Sequence, residues 1–379
     1  MTEEQMPMEL PDIPLPPEQE EEVTIKDECN CAWRIGIIGA GQAGSRVAES
    51  FYKLGYRRVC VVNTASQDLA DIDIPQENKF LMDIGLGGAG KDPKKGKEAA
   101  SKCHNDIYDL MVRCFGRDID RVLVCIGAGG GTGTGSVLEI VEISREYLET
   151  LRIEGTNVGV IASLPKTGEG KLVNKNAHGV LTSLFRLVEE KAISPLVVID
   201  NSKISELYPK LAVTKFWDTA NRNISGLFHL FNDIATRDNG IVAFDRADLK
   251  SLLDSGIVTF GATPIKDVEA DTAISKAVRG NLQKNVLVGD IDLTKASVAG
   301  CVFIGGQKVL DGMPEENLEH GFEQLSRILK GGNATVHRGV YTAAMKGLVV
   351  YTILGGLGVP EVRMKEIAKL GGVSDFYDE

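Results

Sequence analysis

The sequence predicts an α/β protein: a doubly wound parallel sheet, then one long helix, then a smaller α/β domain. Short apolar runs alternate with helical stretches between Arg34 and Asp200. Two of these runs, VLVCI and PLVVI, are continuously apolar, which is typical of strands buried on both faces of a parallel sheet. Glycine-rich segments follow several runs, at the strand ends where such sheets bind ligands.

The composition excludes several classes of protein. The chain has 379 residues, of which 43% are hydrophobic and 25% are charged, as expected for about two globular domains. It contains no apolar run of about 18 residues, so no transmembrane segment is expected. The net charge is -11, and residues 1–28 hold ten acids against Lys26 alone. Because the rest is nearly neutral, a basic surface that coats nucleic acid is not expected.

Residues 1–32 are predicted to be a disordered acidic arm. The segment has five prolines and lacks the apolar core of a signal peptide. Seven cysteines without disulfide-like spacing indicate a reducing, cytoplasmic compartment. Cys29 and Cys31 have no second cysteine pair nearby and the five histidines are scattered, so no zinc site is expected.

Hydrophobic periodicity predicts the elements in order. The predicted strands of the first domain are 34–38, 58–63, 121–126, 157–163 and 196–200, and its helices are 42–54, 94–115, 134–151 and 171–191. Apolar residues spaced three and four apart predict a long helix over 213–235. Beyond it, the predicted strands are IVTFGA, NVLVGDI, VAGCVFIGG, ATVHRGVY and LVVYTIL, with helices over 270–283, 314–329 and 359–370. The predicted units are 33–212, 213–236, 237–355 and a short tail, 356–379.

The first glycine loop, residues 39–44, reads GAGQAG between a predicted strand and a predicted helix. This GxGxxG pattern lets backbone N–H groups approach a phosphate at a helix N-terminus. A nicotinamide site also needs an acid about 20 residues on, at the end of the second strand. Asn63 stands there, which argues against an oxidoreductase.

The second glycine loop, residues 85–91, almost spells a Walker A sequence, but Asp92 follows Lys91 where Ser or Thr is required. A carboxylate there would face the phosphates, so a P-loop NTPase is not expected. The loop is either a phosphate contact or a mobile surface loop.

The third glycine loop, residues 127–136, reads GAGGGTGTGS after a buried strand. Consecutive glycines before a helix make a nest of N–H groups for polyphosphate. Three such loops on one sheet predict a nucleotide ringed by strand-to-helix loops.

These loops resemble those of a known family. GGGTGTGS at 129–136 resembles the signature loop of the tubulin/FtsZ superfamily of filament-forming GTPases, and GAGQAGSR at 39–46 is similar to its first loop, with a spelling nearer to tubulin and the archaeal CetZ group. VVNTASQDL at 61–69 and GAGKDPKKG at 88–96 resemble its second and third loops. The resemblance covers about residues 33–355 and is stronger in the first domain.

The resemblance implies that GTP or GDP binds here, with Mg²⁺ held through the phosphates and not directly by a side chain. The implied nucleotide-binding residues are Gly41, Gln42, Ala43, Ser45, Arg46, Asn63, Gly88, Ala89, Gly90, Gly129, Gly130, Gly131, Thr132, Gly133, Thr134, Glu169, Asn201, Trp217 and Asn221. Trp217 would stack on guanine, Asn201 and Asn221 would contact its edge, and Glu169 would contact the ribose. Val173 stands where the family usually has an arginine.

IVAFDRADL at 241–249 resembles the family loop that reaches the nucleotide of the next subunit. Asp245 and Asp248 match its two aspartates and are the implied catalytic residues, while Ala243 replaces the usual asparagine. Carboxylates three apart at a helix start share one face and can position a water molecule. The alternative interpretation is that they are helix N-terminal acids favoured by the helix dipole.

The resemblance implies a GTP-hydrolysing protein of cytoplasmic filaments that polymerises head to tail and serves cell division, cell shape, or DNA or phage positioning. Such contacts do not close, which is how filaments form. Lateral contacts between filaments stay open, and no direct nucleic-acid contact is expected. Two alternatives remain: a nucleotide-binding family member with weak or no hydrolysis that acts as an adaptor, and a Rossmann-type dinucleotide enzyme.

Overall fold

The structure is a computed structural model that describes residues 25–373, except residues 86, 211, 267, 269, 271 and 330–332 and the side chains of residues 213, 214 and 285. Its described strands form one sheet of ten, in the order β3-β2-β1-β4-β5-β6-β7-β10-β8-β9. The strands are β1 (Ile35–Ala40), β2 (Val59–Asn63), β3 (Lys79–Leu81), β4 (Arg121–Gly127), β5 (Val158–Leu164), β6 (Leu196–Asp200), β7 (Ile257–Ile265), β8 (Val298–Gly306), β9 (Thr335–Ala343) and β10 (Leu348–Leu357). From β3 at one edge to β7, each strand is parallel to the next one in this order. Strand β10 is antiparallel to both of its neighbours, β7 and β8. The predicted α/β class with a parallel sheet is confirmed.

Helices cover both faces of the sheet. They are α1 (Gly41–Lys53), α2 (Ser66–Ala70), α3 (Pro93–Lys102), α4 (His104–Phe115), α5 (Thr132–Thr150), α6 (Lys171–Glu189), α7 (Asn201–Leu207), α8 (Val213–Ile234), α9 (Arg246–Leu253), α10 (Ala273–Gly280), α11 (Gln307–Asp311), α12 (Glu315–Ile328) and α13 (Glu361–Gly371). Helices α1, α8 and α9 pack on one face, and α4, α5, α6, α12 and α13 pack on the other.

Alternate residues of the central strands belong to two apolar clusters, one on each face. Ile37 of β1 packs with the α1 and α8 side, while its neighbour Ile38 packs with the α4 and α5 side. In β4, Cys125 packs with the α1 and α8 side, and its neighbour Val124 packs with the α4 and α5 side. Because both faces are covered, the residues along the interior of these strands are apolar, which accounts for the continuous runs in the sequence.

The order of the first six strands is that of a doubly wound fold, with its switch point between β1 and β4. The chain leaves β1 toward β2 on one side and reaches β4 on the other, so the loops after β1 and β4 diverge there. This divergence opens a crevice at the carboxyl ends of the two strands. Both the first and the third glycine loop follow these strands.

Two sequence predictions need correction in the fold. The predicted helix 94–115 is two helices, because the backbone turns at Cys103, between α3 and α4. The strands of the predicted second domain extend the same sheet, which continues where Leu196 and Val197 of β6 pair with β7. The predicted helix 270–283 is α10 followed by a π-helical turn, Asn281–Asn285.

The predicted strand NVLVGDI is also absent from the described structure. Its residues 286–288 are buried, yet Val286 makes one isolated bridge to Gly261. The Leu287 carbonyl accepts from the Asp200 N–H at 2.9 Å, and the Leu287 N–H donates to the Phe260 carbonyl at 3.1 Å. The segment fills the gap where β6 and β7 diverge, so its apolar pattern reflects burial and not strand pairing.

The predicted disordered arm needs correction at its end. Residues 1–24 lie outside the described residues, but residues 25–33, which we call the strap, pack against the body. Asp27 and Arg58 form a buried ion pair, with Oδ2 2.6 Å from Nη1. The Glu28 N–H donates to the Gly55 carbonyl at 2.8 Å, and the Ala32 N–H to the Asn232 carbonyl at 2.9 Å. Acidic composition alone did not reveal the buried arginine that binds Asp27.

Candidate functional site

A cavity of about 500 Å³ lies at the carboxyl ends of β1, β2, β4 and β5, a volume usual for a small-molecule site. All three glycine loops contribute to its wall. The predicted site residues that line it are Gly41, Gln42, Ala43, Arg46, Asn63, Gly88, Ala89, Gly90, Gly129, Gly130, Gly131, Thr132, Gly133, Glu169, Asn201, Trp217 and Asn221. The structure therefore brings together residues from seven separate segments of the chain.

Ser45 and Thr134 are the predicted residues that the structure places outside this wall. Ser45 is fully buried beneath the first glycine loop. Thr134 lies in the first turn of α5, where its hydroxyl is 3.4 Å from the Gly127 carbonyl oxygen. Both face the protein interior because helices α1 and α5 rotate these positions away from the cavity.

The glycines of the first loop have distinct structural roles. Gly41 adopts a φ of 70°, a left-handed conformation that favours glycine. A Cβ on Gly44 would lie 2.0 Å from the Cys125 carbonyl oxygen, so this glycine lets α1 pack closely against β4. The loop thus turns sharply into α1 and brings the helix N-terminus to the switch point.

The third loop leaves open space on its cavity side. A Cβ on Gly130 would meet no atom within 4 Å, whereas one on Gly133 would lie 2.8 Å from the Ala40 carbonyl oxygen. Gly133 therefore packs the third loop against the first, while Gly130 borders the cavity.

Two helices begin at this cavity without a side-chain cap. Neither α1 nor α5 has a side chain that hydrogen-bonds its first-turn N–H groups at the N-cap. By contrast, Asp92, Asp200 and Asp245 cap α3, α7 and α9. Uncapped N–H groups and the positive end of the helix dipole favour an anion at this place. The two helix starts at the switch point are thus suited to phosphate.

The second loop joins the wall without the carboxylate that the sequence suggested. Asp92 does not face the cavity, because its Oδ1 accepts from the Lys94 N–H at 3.0 Å and caps α3. Gly88 and Gly90 have positive φ values of 141° and 59°. Gly88, Ala89, Gly90 and Lys91 present the turn to the cavity.

Polar contacts between the loops include residues that the sequence analysis missed. The Thr64 hydroxyl lies 2.6 Å from the Thr132 hydroxyl and accepts from the Ala89 N–H at 3.0 Å. The Asn176 side chain donates to the carbonyls of Lys91 at 2.9 Å and Gly129 at 3.2 Å. Thr64 stands beside the predicted Asn63, but nothing local to Asn176 distinguishes it from other helix residues.

Asp68 is a further cavity residue that the sequence analysis did not name as a site residue. Its carboxylate accepts from the Gln42 side chain at 3.1 Å and from the Asn63 side chain at 3.2 Å. The carboxylate therefore orients two predicted site residues from different loops. It lies at the start of α2, five residues after the end of β2.

The opposite end of the cavity is aromatic and amide-rich. Trp217, 40% exposed, meets the Phe216 ring edge-on at a centroid distance of 5.0 Å. Asn201 at the start of α7 and Asn221, one turn after Trp217 on α8, also line this end. The Lys166 ammonium lies 3.4 Å from the Phe216 ring centroid, a cation–π contact. A flat base could stack on the exposed indole while the amides contact its edge.

Glu169 also lines the cavity. Its Oε1 accepts from the Lys166 N–H at 2.8 Å, which holds a short turn before α6. Val173 stands where the family usually has an arginine. It packs on the third loop, since a Cβ on Gly129 would lie 2.3 Å from its Cγ1. The valine thus supplies packing where an arginine would supply charge.

Asp245 and Asp248 lie outside the cavity and form a capping box at the start of α9. The Asp245 Oδ1 accepts from the N–H groups of Ala247 at 2.7 Å and Asp248 at 2.9 Å. The Asp248 Oδ2 accepts from the Asp245 N–H at 3.1 Å, and its Oδ1 lies 2.6 Å from His337 Nδ1. The capping interpretation therefore describes their contacts within one subunit.

Cys29 and Cys31, for which the sequence analysis expected no zinc site, lie close to His229 of α8. Their ligand atoms are all within 4.8 Å of one another. Spacing along the chain gave no signal of this, because His229 is remote in sequence and reaches the strap only by the packing of α8.

No helix in the described part of the chain has the length and apolar character needed to span a membrane.

Comparison with known proteins gives a consistent result. The family model "Tubulin/FtsZ family, GTPase domain" matches residues 34–209, and "Tubulin/FtsZ-like protein TubZ-like, C-terminal domain" matches residues 231–368. Cell division protein FtsZ 1 of Pyrococcus woesei is 30% identical over 280 residues, which are 73% of this chain and 70% of that protein. Tubulin-like protein TubZ of Bacillus cereus is 26% identical over 267 residues, 65% of this chain and 59% of that protein.

Solved structures support the same fold. A GTPγS-form protofilament of Bacillus thuringiensis serovar israelensis TubZ has a TM-score of 0.76 at 20% identity, covering 91% of this chain and 92% of that one. The GTPγS-bound protofilament of CetZ2 from Haloferax volcanii has a TM-score of 0.72 at 20% identity, covering 89% and 97%. The similarity to these structures shows the fold. The similarity to FtsZ 1, together with the two family models, shows the family. The chain is a member of the tubulin/FtsZ family.

Proposed function

We propose that this protein binds GTP in the described cavity, polymerises head to tail into cytoplasmic filaments and hydrolyses GTP between subunits. The observation that carries the proposal is the pair of uncapped helix N-termini, α1 and α5, that open on one cavity between glycine loops. This arrangement favours a polyphosphate over an uncharged ligand. The similar structures of TubZ and CetZ2 described above are GTPγS protofilaments, which supports self-assembly for this chain.

The base end supports a preference for guanine over adenine. Trp217 offers a stacking surface, and the amides of Asn201 and Asn221 supply both donors and acceptors at the base edge. A base of the wrong pattern leaves buried amide groups unpaired, which costs about 1–3 kcal/mol per group. The amides thus make the discrimination, while the indole contributes affinity for either purine.

The cavity also fits Mg²⁺ that is held through the phosphates. Among the described residues of its wall, the carboxylates are those of Asp68 and Glu169, and both already accept hydrogen bonds. Near the third loop the wall also presents backbone groups and the hydroxyls of Thr64 and Thr132. Bound Mg²⁺ would neutralise phosphate charge, while the glycine loops and helix ends hold the phosphate oxygens.

Hydrolysis is proposed to use Asp245 and Asp248 of the neighbouring subunit. Helix α8 begins beside the cavity and has 22 residues, a length of about 33 Å. The aspartates follow it, so they lie far from the cavity of their own chain and can face the cavity of the next subunit in a head-to-tail filament.

The proposed units of the chain are a nucleotide domain, 33–212, the connecting helix, 213–236, and a second domain, 237–355.

Two measurements test the nucleotide and the filament. Labelled GTP bound to the purified protein is competed with GTP and with ATP, and we expect ATP to displace it at least about tenfold more weakly. Electron microscopy with GTP and with GDP is expected to give filaments with GTP. Equal displacement by both nucleotides would overturn the guanine assignment, and a monomer under all conditions would overturn assembly.

A mixing experiment tests the shared site. Asp245→Asn and Asp248→Asn keep side chains that cap helices, and each is expected to lower GTP turnover about 10²–10⁴-fold while GTP still binds. Subunits with both aspartates but with a blocked cavity, such as Gly130→Trp, should restore part of the turnover in a mixture. A mixture that co-sediments but stays inactive contradicts the shared site.

A second candidate function is a filament or adaptor protein with little hydrolysis. Two observations favour it: Ala243 lacks the amide expected before the two aspartates, and Val173 supplies no charge beside the third loop. GTP turnover of the assembled wild-type protein distinguishes the candidates, since an adaptor binds GTP without assembly-stimulated phosphate release. The dinucleotide-enzyme alternative predicts instead that NAD competes with GTP.

A further inference from the structure

Two thiols and an imidazole meet on the surface formed by the strap and α8, away from the nucleotide cavity. The sulfurs of Cys29 and Cys31 are 3.2 Å apart, and an imidazole nitrogen of His229 completes a group whose atoms all lie within 4.8 Å. All three side chains are half-buried, so an ion from solvent can reach them. Two thiols and an imidazole are the donors that zinc-type ions prefer.

The backbone holds the two cysteines in place from both sides. Before them, the Glu28 N–H donates to the Gly55 carbonyl at 2.8 Å, and after them the Ala32 N–H donates to the Asn232 carbonyl at 2.9 Å. Gly55 has a φ of 102°, and a Cβ there would lie 3.1 Å from the Cys29 backbone nitrogen. The strap therefore lies close against the end of α1 and cannot shift far from α8.

The imidazole is also oriented by its surroundings. The His229 Nδ1 lies 3.4 Å from the Tyr56 hydroxyl, which accepts from the Asn232 side chain at 3.1 Å. The Tyr56 ring meets the imidazole edge-on at a centroid distance of 5.6 Å. These two contacts hold the imidazole beside the strap.

The two thiols are already in hydrogen-bond contact, with their sulfurs 3.2 Å apart. A cation bound between them would hold both sulfurs as thiolates, and their protons would be released to solvent.

We propose that Cys29, Cys31 and His229 bind one thiophilic metal ion of the zinc type, with a fourth position open to water. With Zn–S bonds of about 2.3 Å, two sulfurs in a tetrahedral site are about 3.8 Å apart. The sulfurs would therefore separate by about half an ångström. The bound ion would join the strap to α8, and it is independent of the nucleotide proposed above.

The full-length protein, reduced and stripped of metal, is titrated with Zn²⁺ against a chromophoric chelator. We expect one equivalent to bind with release of protons. Co²⁺ as a spectroscopic probe should give thiolate charge-transfer absorption and the visible bands of a tetrahedral site. Absence of a stoichiometric equivalent in the reduced protein would overturn the proposal.

Variants identify the ligands. Cys29→Ser with Cys31→Ser should abolish binding and the thiolate absorption, and His229→Gln should weaken binding more than about tenfold. Cys103→Ser is the matched control, because Cys103 is a half-buried cysteine at the α3–α4 junction, outside the cluster. It should bind Zn²⁺ as the wild type does.

Circular dichroism and GTP binding report whether each variant folds. If folded double-serine protein binds Zn²⁺ as tightly as the wild type, the assignment is wrong. If mass spectrometry finds the two thiols joined as a disulfide that persists in excess reductant, the pair is a structural disulfide and not a metal site, which also overturns the proposal.

Discussion

Arg363 of α13 and Asp200 at the end of β6 form a buried ion pair. Arg363 Nε lies 2.9 Å from Asp200 Oδ2, and both side chains are 4% exposed. The Arg363 guanidinium also donates to the Pro165 carbonyl at 2.9 Å. Because Pro165 and Asn201 line the cavity, this pair attaches the last described helix to two segments of the candidate site.

Replacing the arginine is expected to lower both stability and nucleotide affinity. Arg363→Met leaves the Asp200 carboxylate buried without its counter-charge, which should lower the free energy of unfolding by about 3–5 kcal/mol. Urea unfolding measures this. The double variant Arg363→Met, Asp200→Asn removes the buried charge and should recover part of the loss. A single variant as stable as the wild type would contradict the role of the pair.

The same variant should change the dependence of stability on pH. Burial raises the pKa of Asp200, and Arg363 opposes that rise. Without Arg363 the folded-state pKa rises further above the unfolded value of about 3.9. A raised folded-state pKa contributes stability below the unfolded value, and this contribution is lost as the pH rises through the folded value. The deficit of Arg363→Met relative to the wild type should therefore be larger at neutral pH than in acid.

Gly130→Ala is expected to weaken nucleotide binding without disturbing the fold. Its Cβ meets no protein atom within 4 Å, yet it enters the proposed phosphate space. Loss of one hydrogen bond to a charged phosphate, worth about 1.5–3 kcal/mol, should lower GTP affinity about tenfold or more. Equilibrium dialysis with labelled GDP or GTP measures it.

The matched control for Gly130→Ala is Gly226→Ala, since Gly226 lies within α8 with equally open space and away from the cavity. It should bind nucleotide normally. Thr132→Ala with Gly133→Ala is a poorer test, because a Cβ on Gly133 would crowd the Ala40 carbonyl. Unchanged affinity in Gly130→Ala would mean that the third loop does not contact phosphate.

The strap is expected to contribute to stability through Asp27. Arg58 is 3% exposed, so Asp27→Ala leaves its guanidinium poorly compensated and should cost about 3 kcal/mol. A chain that begins at residue 25 keeps the strap contacts, whereas one that begins at residue 33 loses them. Thermal unfolding should therefore separate the two truncations. Equal melting temperatures would contradict a role of the strap in stability.

His104 should make stability depend on pH near neutrality. Its Nδ1 lies 2.8 Å from Glu139 and its Nε2 lies 3.0 Å from Glu146, and these hydrogen bonds raise its pKa, with Glu139 contributing most. The stabilisation is fully present below about pH 6.5 and is lost as the pH rises through the folded-state value. Because the imidazole is a third exposed, we expect about 1 kcal/mol or less.

His104→Gln provides the comparison for this pH effect. Glutamine keeps a hydrogen-bond donor but cannot titrate, so the difference in unfolding free energy between wild type and variant should shrink as the pH rises from 6 to 9. High salt should reduce the difference at pH 6. A difference that does not vary with pH would contradict the assignment.

The sequence by itself determined the local features of this protein. Continuous apolar runs predicted the central strands because the structure covers both of their faces, and spacings of three and four predicted α8. The glycine loops predicted where the cavity lies, since backbone conformation at a strand-to-helix turn is encoded locally. Most of the predicted nucleotide residues line that cavity, with Ser45 and Thr134 as the exceptions.

Only the tertiary structure decided which distant side chains meet. Arg363 and Asp200, Thr64 and Thr132, and His229 beside Cys29 lie on elements whose relative placement depends on the packing of the whole sheet. Residues 286–288 have the apolar pattern of a strand, yet they fill the gap between two diverging strands. A local pattern reports that a residue is buried or helical, but its partner is set by how the elements pack against each other, and that information is not contained in any single segment.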